Sequence, residues 1–514
     1  MRQKMHKEDI KDSVGRLIFV GLAVLAQVGW FVLTIMKLTE NYAAVSAVAR
    51  LISAFCVLTI FGKHIMPDVK LSWIILILMF PLFGMILYLL STRSNFVHTM
   101  HDRLKVIDSD LAPLYPENKE IYEKLKKEDP WIAHHAYFLK HESGFPVYDG
   151  TKVSYYKDAS DGLTAQLEDL RKAEHFIFME YHAIQDKQSF QELKDVLHER
   201  AEAGVEVRLF YDDIGSIGFI NTKFIREMKE LGIQCRVFNP IVPIVNVFMN
   251  NRDHRKITVI DGKVGFTGGY NLADEYFNIT HPFGHWKDTG IRLEGPAVKT
   301  LTLLFLEMWN AMKKSETEDY KKYMVDVAPA PDATGYVIPF GDSPLDEIHT
   351  AKDVYQNILK NANTQAWIIT PYLILTDDFS RELQLAARRG IDVRIITPGI
   401  PDKKLIYQMT RSYYAALASA GVRIYEYTPG FCHAKMLLSD KVAVVGTANF
   451  DYRSFFHHFE NAVYMYNCDC LDEIRQDFEA TFPKCREVTE KYSTGRSTSL
   501  RIWQCILRFF APLA

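Results

Sequence analysis

The chain has 514 residues and a net charge of −3 at pH 7, too long for one ordinary domain and without the global basic field of a nucleic-acid binder. Its seven cysteines are odd in number and scattered, which excludes a disulfide framework. Cys468 and Cys470 could ligate a metal, but Cys-x-Cys with no second ligand pair reads better as two structural thiols.

Apolar runs dominate the first ninety or so residues, and the remainder reads as a soluble α/β protein. Residues 17–36 form an uncharged run long enough to cross a hydrocarbon core of about 30 Å. Residues 71–92 form a second such run, bounded by Lys70 and Arg93, whose Pro81 and Gly84 a membrane helix tolerates. Between them only residues 51–62 separate Arg50 from Lys63, too short a stretch to span. We expect an N-terminal transmembrane segment over residues 1–95, with two helices crossing and the middle stretch re-entrant, Arg50 staying near the cytoplasmic surface. A third span would reverse the side of the soluble part. Arg2, Lys4, Lys7, Lys11 and Arg16 place the N-terminus inside, so two spans return the rest to the cytoplasm.

Residues 96–150 read as a polar linker with helical patches and an exposed turn at 143–146. Beyond it the chain repeats itself. The first half offers the strands HFIFMEY (175–181), AGVEVRLFYDD (203–213) and LGIQCRVF (231–238); the second offers AWIITPY (366–372), RGIDVRIITPG (389–399) and AGVRIYEY (420–427). Strands alternating with helices predict α/β lobes at 151–330 and 331–514, with mixed, largely parallel sheets flanked by helices and related by a pseudo-two-fold axis. The stretch APAPDATG (328–335) has linker composition. At the C-terminus Leu500, Trp503, Ile506, Leu507 and Phe510 recur at helical spacing, which fits an interfacial amphipathic helix and equally one packed on the second lobe.

Each half ends on the same pattern. HRKITVIDGKVGFTGGYN (254–271) and HAKMLLSDKVAVVGTAN (433–449) both place a lysine two residues after a histidine, an Asp five further on, and then a Gly-x-x-Asn. Residues two apart share one face of a strand, so His254 points with Lys256 and His433 with Lys435. Asp261-Gly262 is a hairpin signal that returns Asn271 towards the histidine's end. Two such platforms facing each other can hold a tetrahedral phosphate between two lysines and two asparagines. One neutral histidine can then attack phosphorus while the other, protonated, gives its proton to the leaving oxygen. A covalent phosphohistidine results, released by a second alcohol or by water. The lysines supply the positive charge, so we expect no metal and no cofactor.

The paired motifs resemble the His-Lys-Asp signature of the phospholipase D superfamily. Further segments, among them HWKDTGIRLEGPAV, GTANFDYRSFFHHFEN and AARRGIDVRIITPGIPDKKL, are similar to bacterial cardiolipin synthases. That resemblance implies a multi-pass cell-membrane enzyme with phosphatidylglycerol and membrane lipid as partners and no nucleic acid, making cardiolipin and glycerol. It assigns His254, Lys256, Asp261 and His433, Lys435, Asp440 to the two triads, Asn271 and Asn449 to phosphate binding, and Asp288 and Glu460 to orienting the imidazoles. Asp261 and Asp440 are expected to support the motifs structurally, and His254 to be the nucleophile. The family's usual Leu-Asn before the final Phe-Glu is replaced here by His457 and His458. Those two, with His182, His281 and His285, read as ordinary packed or surface histidines. The rival functions are a phospholipase D-type hydrolase, another phosphatidyltransferase and a membrane-anchored nuclease, the last opposed by the balanced charge.

Overall fold

The computed structural model describes residues 43–63, 67–92, 95–220, 223–240, 251–312, 318–494, 497–509 and 511, with isolated positions between 25 and 37. The expected first span, residues 17–36, therefore lies outside the described residues but for those positions.

The first lobe carries β1 (Lys152–Tyr156), β2 (Phe176–Tyr181), β3 (Glu206–Asp212), β4 (Gln234–Phe238), β5 (Arg252–Asp253), β6 (Lys256–Ile260), β7 (Val264–Gly268), β8 (His285–Lys287) and β9 (Gly290–Glu294). The second carries β10 (Tyr336–Asp342), β11 (Gln365–Ile369), β12 (Leu373–Ile374), β13 (Asp392–Pro398), β14 (Arg423–Tyr427), β15 (Gly430–Cys432), β16 (Met436–Ser439), β17 (Val442–Gly446), β18 (Phe450–Asp451), β19 (His458–Tyr466) and β20 (Cys485–Glu487). One sheet runs β1-β9-β7-β6-β2-β3-β4 and the other β10-β19-β17-β16-β11-β13-β14-β20, the same order position for position until the added edge strand. The repeat in the sequence is thus a repeat of topology.

The sheets are mixed, but they are not largely parallel. Along these two orders, among the described residues, parallel ladders join only β2, β3 and β4, and β11, β13 and β14, with the short β5 added in parallel to the end of β19. The other ladders along these orders are antiparallel; for β6 with β7 and β16 with β17 the reason is a hairpin turn, a connection too short to make a parallel pair. The helix Gln188–Glu202 that crosses from β2 to β3 buries Phe190, Leu193, Val196 and Leu197, one stripe of its surface. The helix Val298–Ala311 is buried almost all round, and its Phe305 stacks on Phe178 at 4.6 Å. One core runs from Phe178 and Ile257 through Trp309 to Met436, Val445 and Val463, so the lobes share it.

The expected linker is part of this body. The helix Asn95–Leu111 inserts Leu104, Ile107 and Leu111 into the shared core. The helix Pro130–His141 gives Ile132, Ala136 and Leu139 to the second lobe. Its polar composition belongs to the outward faces. The turn at 143–146 is only partly exposed: Ser143 bonds the Thr350 hydroxyl at 2.9 Å and Pro146 is buried.

At the N-terminal end lie helices Ala43–Gly62, Pro67–Met79 and Pro81–Thr92. Residues 71–92 do not form the single helix expected of a span. Pro81 has no N–H for the ladder, and the chain folds back there, bringing the Trp73 and Tyr88 rings to 5.3 Å. Gly84 permits the return: a Cβ at that position would lie 2.7 Å from the Ile77 Cα. Among the described residues no helix is long and apolar enough to cross a membrane. Leu51, Phe55, Leu58 and Phe61 nonetheless face outward, exposed apolar side chains on one helix. The C-terminal helix Thr498–Phe509 buries Leu507 and Gln504 against the second lobe and leaves Ile502, Trp503 and Ile506 exposed.

Candidate active site

The hairpins come first, because they set the strand register. Asp261 (φ 52°) and Gly262 (φ 66°) are both left-handed, the pair a tight turn requires. Ile260 pairs with Val264, while in the second lobe Ser439 pairs with Val442, one residue tighter. The Asp261 carboxylate accepts the backbone N–H groups of Glu174, His175 and Phe176 at 2.9, 2.8 and 2.8 Å, at the end of β6 away from His254. Asp440 accepts from the N–H of Asn363 (2.8 Å) and from the N–H and hydroxyl of Thr364 (3.0 and 2.5 Å).

At the other end of these strands the lobes exchange partners. β5 leaves its own sheet to pair with β19, and the His254 N–H donates to the Phe459 carbonyl at 2.9 Å. β15 pairs with β8 in return, and the His433 N–H donates to the Lys287 carbonyl at 2.7 Å. The side chains follow. Nδ1 of His254 lies 2.8 and 2.9 Å from the two oxygens of Glu460, a second-lobe residue. Nδ1 of His433 lies 2.7 Å from Asp288 Oδ2 in the first lobe, whose other oxygen accepts the Thr289 N–H at 2.9 Å. A carboxylate on Nδ1 holds that proton there and leaves Nε2 with its lone pair. Glu460 also accepts the Thr447 hydroxyl at 2.5 Å.

The lysines close the arrangement. Lys256 donates to the His254 carbonyl at 2.7 Å, and its own N–H is held by Asn461 at 3.1 Å. Lys435 Nζ stands over the His433 ring, 2.7 Å from Nδ1 and 3.0 Å from Nε2, and donates to the His433 carbonyl and, at 3.4 Å, to that of Gly269. Gly269 has to be glycine: a Cβ there would lie 2.0 Å from Asp288 Oδ1 and 3.1 Å from the His433 carbonyl oxygen.

All these groups are buried, and burial sets the direction of their titration. It pushes His433 down to about 4, with Lys435 adding to it and Asp288 opposing it. It holds His254 well below its ordinary value in spite of Glu460. Both imidazoles rest neutral. Burial lowers Lys256 to about 8 and Lys435 to about 7, the latter also repelled by Lys256. The two motifs therefore act within one electrostatic field. In Asp288, His433 and Lys435 overcome the cost of burial and keep the carboxylate ionised.

The two asparagines differ. Asn271 is engaged, accepting the Ala183 N–H at 3.2 Å and donating to the Tyr276 hydroxyl at 2.8 Å. The Asn449 carboxamide oxygen is buried without a partner among the described residues. Several site residues were absent from the sequence reading. Tyr276 and Trp286 set their rings 5.1 and 5.3 Å from that of His433, and Asn461 bridges Lys256 to Thr267. Two histidines read as bystanders, His182 and His458, stand with rings 5.0 and 5.2 Å from His254. His458 was legible, since it shares a strand face with Glu460. Donor atoms of His254, His458 and Glu460 lie within 4.8 Å of one another, the one grouping among the described residues that could hold a metal. His281 and His285 are exposed.

Fold and site together define a two-lobed protein whose paired His-Lys motifs meet in one buried centre. The family model described as cardiolipin synthase, PLD-like domain, matches residues 167–309 and 355–482, and a phospholipase D-nuclease N-terminal model matches 51–91. An uncharacterized protein of Streptococcus mutans is 41% identical over 445 residues, 86% of this chain and 96% of that one. Cardiolipin synthase 2 of Bacillus cereus is 33% identical over 467 residues, 90% of each chain. The crystal structure of phosphatidylserine synthase from Haemophilus influenzae superposes with a TM-score of 0.56 at 13% identity, covering 74% of this chain and 97% of that one, a likeness of fold. The chain belongs to the cardiolipin synthase family of phospholipase D-like proteins.

Proposed function

We infer that the chain transfers a phosphatidyl group from one phosphatidylglycerol to the glycerol head of another, producing cardiolipin and free glycerol. The observation that carries the mechanism is the exchange of carboxylates: each histidine is oriented through Nδ1 by an acid of the opposite lobe, so each imidazole turns Nε2 towards the chemistry. His254 Nε2 attacks phosphorus in line and forms a phosphohistidine. His433 protonates the departing glycerol oxygen and afterwards takes the proton of the incoming hydroxyl. A phosphodiester anion between Lys256 and Lys435 raises the proton affinity of His433 and of both lysines, which burial had lowered. The lysines and Asn449 then meet the charge on the non-bridging oxygens.

The same reading places the chain in the cell membrane, with the outward Leu51, Phe55, Leu58 and Phe61 among acyl chains. The lobes stand on the cytoplasmic side, where unpaired thiols persist. An impermeant thiol reagent applied to intact cells should leave an engineered surface cysteine, Lys126→Cys, unlabelled. For the activity, purified enzyme is given phosphatidylglycerol in vesicles, with lipids followed by mass and glycerol assayed. Equimolar cardiolipin and glycerol are expected; phosphatidic acid in place of cardiolipin would make the chain a hydrolase.

A further inference from the structure

On the His433 side of the centre stands an apolar wall of packed rings. Trp286 and Phe431 are directly opposite each other because β8 and β15 pair across the lobes. Their rings pack at 4.8 Å and stand 5.3 and 5.9 Å from that of His433. Phe431 in turn meets Phe283 at 6.4 Å and Tyr372 at 6.2 Å. The wall reaches the surface at Ile400, whose Cδ1 is 3.2 Å from where a Cβ on Gly284 would stand, with Leu405 close by in sequence. Both are exposed, by 39% and 56%.

Lys403 and Lys404, also exposed, flank this rim, and the Lys403 ammonium lies 5.8 Å from the Tyr372 ring centre. The neighbouring acid, Asp402, is engaged by the Tyr372 hydroxyl and the Lys403 N–H. One turn beyond Leu405, Gln408 accepts the indole N–H of Trp503 at 2.9 Å, so the outward apolar face of the C-terminal helix continues from the same place. The Trp286 indole N–H is buried beside His433 and has no acceptor among the described residues. The His254 side differs, lined by His182, His458 and Glu460.

We propose that this wall is the acceptor subsite, through which the second phosphatidylglycerol brings its glycerol head to His433 while its acyl chains trail out over the rim at residues 400–405. The inference rests on the function proposed above, with His433 as the acid and base. In the second half-reaction the bond between His254 Nε2 and phosphorus breaks as the acceptor's primary hydroxyl oxygen bonds phosphorus, and the hydroxyl proton passes to His433 Nε2. Water could replace the hydroxyl and would yield phosphatidic acid. An apolar approach disfavours water and offers a lipid contact area outside the reacting atoms, binding energy that selects the acceptor. Lys403 and Lys404 attract the anionic headgroups of the bilayer from which that lipid comes, and an ester oxygen of the lipid supplies the acceptor that the Trp286 N–H lacks.

The test is a partition. The full chain in phosphatidylglycerol vesicles, with ethanol added, is assayed for cardiolipin, phosphatidic acid and phosphatidylethanol. The double variant Ile400→Asp, Leu405→Asp changes only exposed side chains; Trp286→Phe keeps an aromatic ring and removes the N–H. We expect the ratio of cardiolipin to phosphatidic acid to fall about tenfold in the first and about threefold in the second. Phosphatidylethanol should still form in the double variant, reporting intact histidine chemistry. Cardiolipin and phosphatidic acid falling in parallel, or a ratio equal to wild type, overturns the subsite. If the double variant loses phosphatidylethanol as well, Trp286→Phe decides. Wild-type enzyme that released only phosphatidic acid would remove the transfer function itself, and the subsite with it.

Discussion

The two lobes present the same motif in different company. His254 bonds both oxygens of a glutamate that Thr447 also holds, with two further imidazoles at its edge. His433 bonds one oxygen of an aspartate, has a lysine against both ring nitrogens, and is walled by Trp286, Tyr276 and Phe431. Duplication supplied equal groups, and the surroundings made them unequal. The imidazole bonded to both carboxylate oxygens is the more firmly oriented of the two, which suits the nucleophile.

The largest effects should come from breaking this comparison at the histidines. His254→Ala and His433→Ala should each lower cardiolipin synthesis by about 10,000-fold or more. They should differ in what accumulates. Without His433 the nucleophile remains, and a substrate whose leaving group needs no proton should slowly load an acid-labile phosphatidyl adduct on His254. Without His254 none should form. Peptide mapping of the adduct checks this, and an adduct on His433 in the His254→Ala protein reverses the two roles.

The orienting acids come next. Glu460→Gln and Asp288→Asn should each cost about 100- to 1,000-fold in kcat, since the amide stabilises the wrong tautomer. The two should part in the same assay: Glu460→Gln slows adduct formation, whereas Asp288→Asn lets the adduct build up. Equal adduct levels in both would show that the acids do not serve separate half-reactions.

A smaller contrast lies at the turns. Removing the buried Asp261 carboxylate strands the buried Phe176 N–H and costs two part-buried N–H groups their acceptor, and Asp261→Ala should lose about 3 kcal/mol of stability. Asp440 is half-buried and serves N–H groups that water can reach, so Asp440→Ala should lose about 1 kcal/mol. Denaturant unfolding of both variants measures the difference, and equal losses would contradict it.

The smallest expected effect is that of chelation. With Lys256 and Lys435 meeting the phosphate charge, EDTA should leave turnover within about twofold, under roughly half a kcal/mol of barrier. Loss of activity that a trace divalent ion restores would instead make His254, His458 and Glu460 a metal site.

The sequence by itself determined everything that depends on spacing along one strand. The pairing of His with Lys on one face, the Asp-Gly turn and the repeat of both were legible because side-chain alternation and turn chemistry are local properties. Asp288 and Glu460 came from the resemblance, as residues that orient a histidine. Which acid serves which histidine was decided only by tertiary structure, since β5 and β15 cross to the opposite lobe and no periodicity records a partner 206 or 145 residues away. Sheet direction went the same way. Alternating strands and helices suggested largely parallel sheets, but a hairpin's short connection fixes antiparallel neighbours once strand order is known. The apolar run at 71–92 shows the limit most plainly. Hydropathy counts its residues, whereas whether Pro81 merely bends a helix or turns the chain back is settled by what Gly84 can pack against, a contact that exists only in three dimensions.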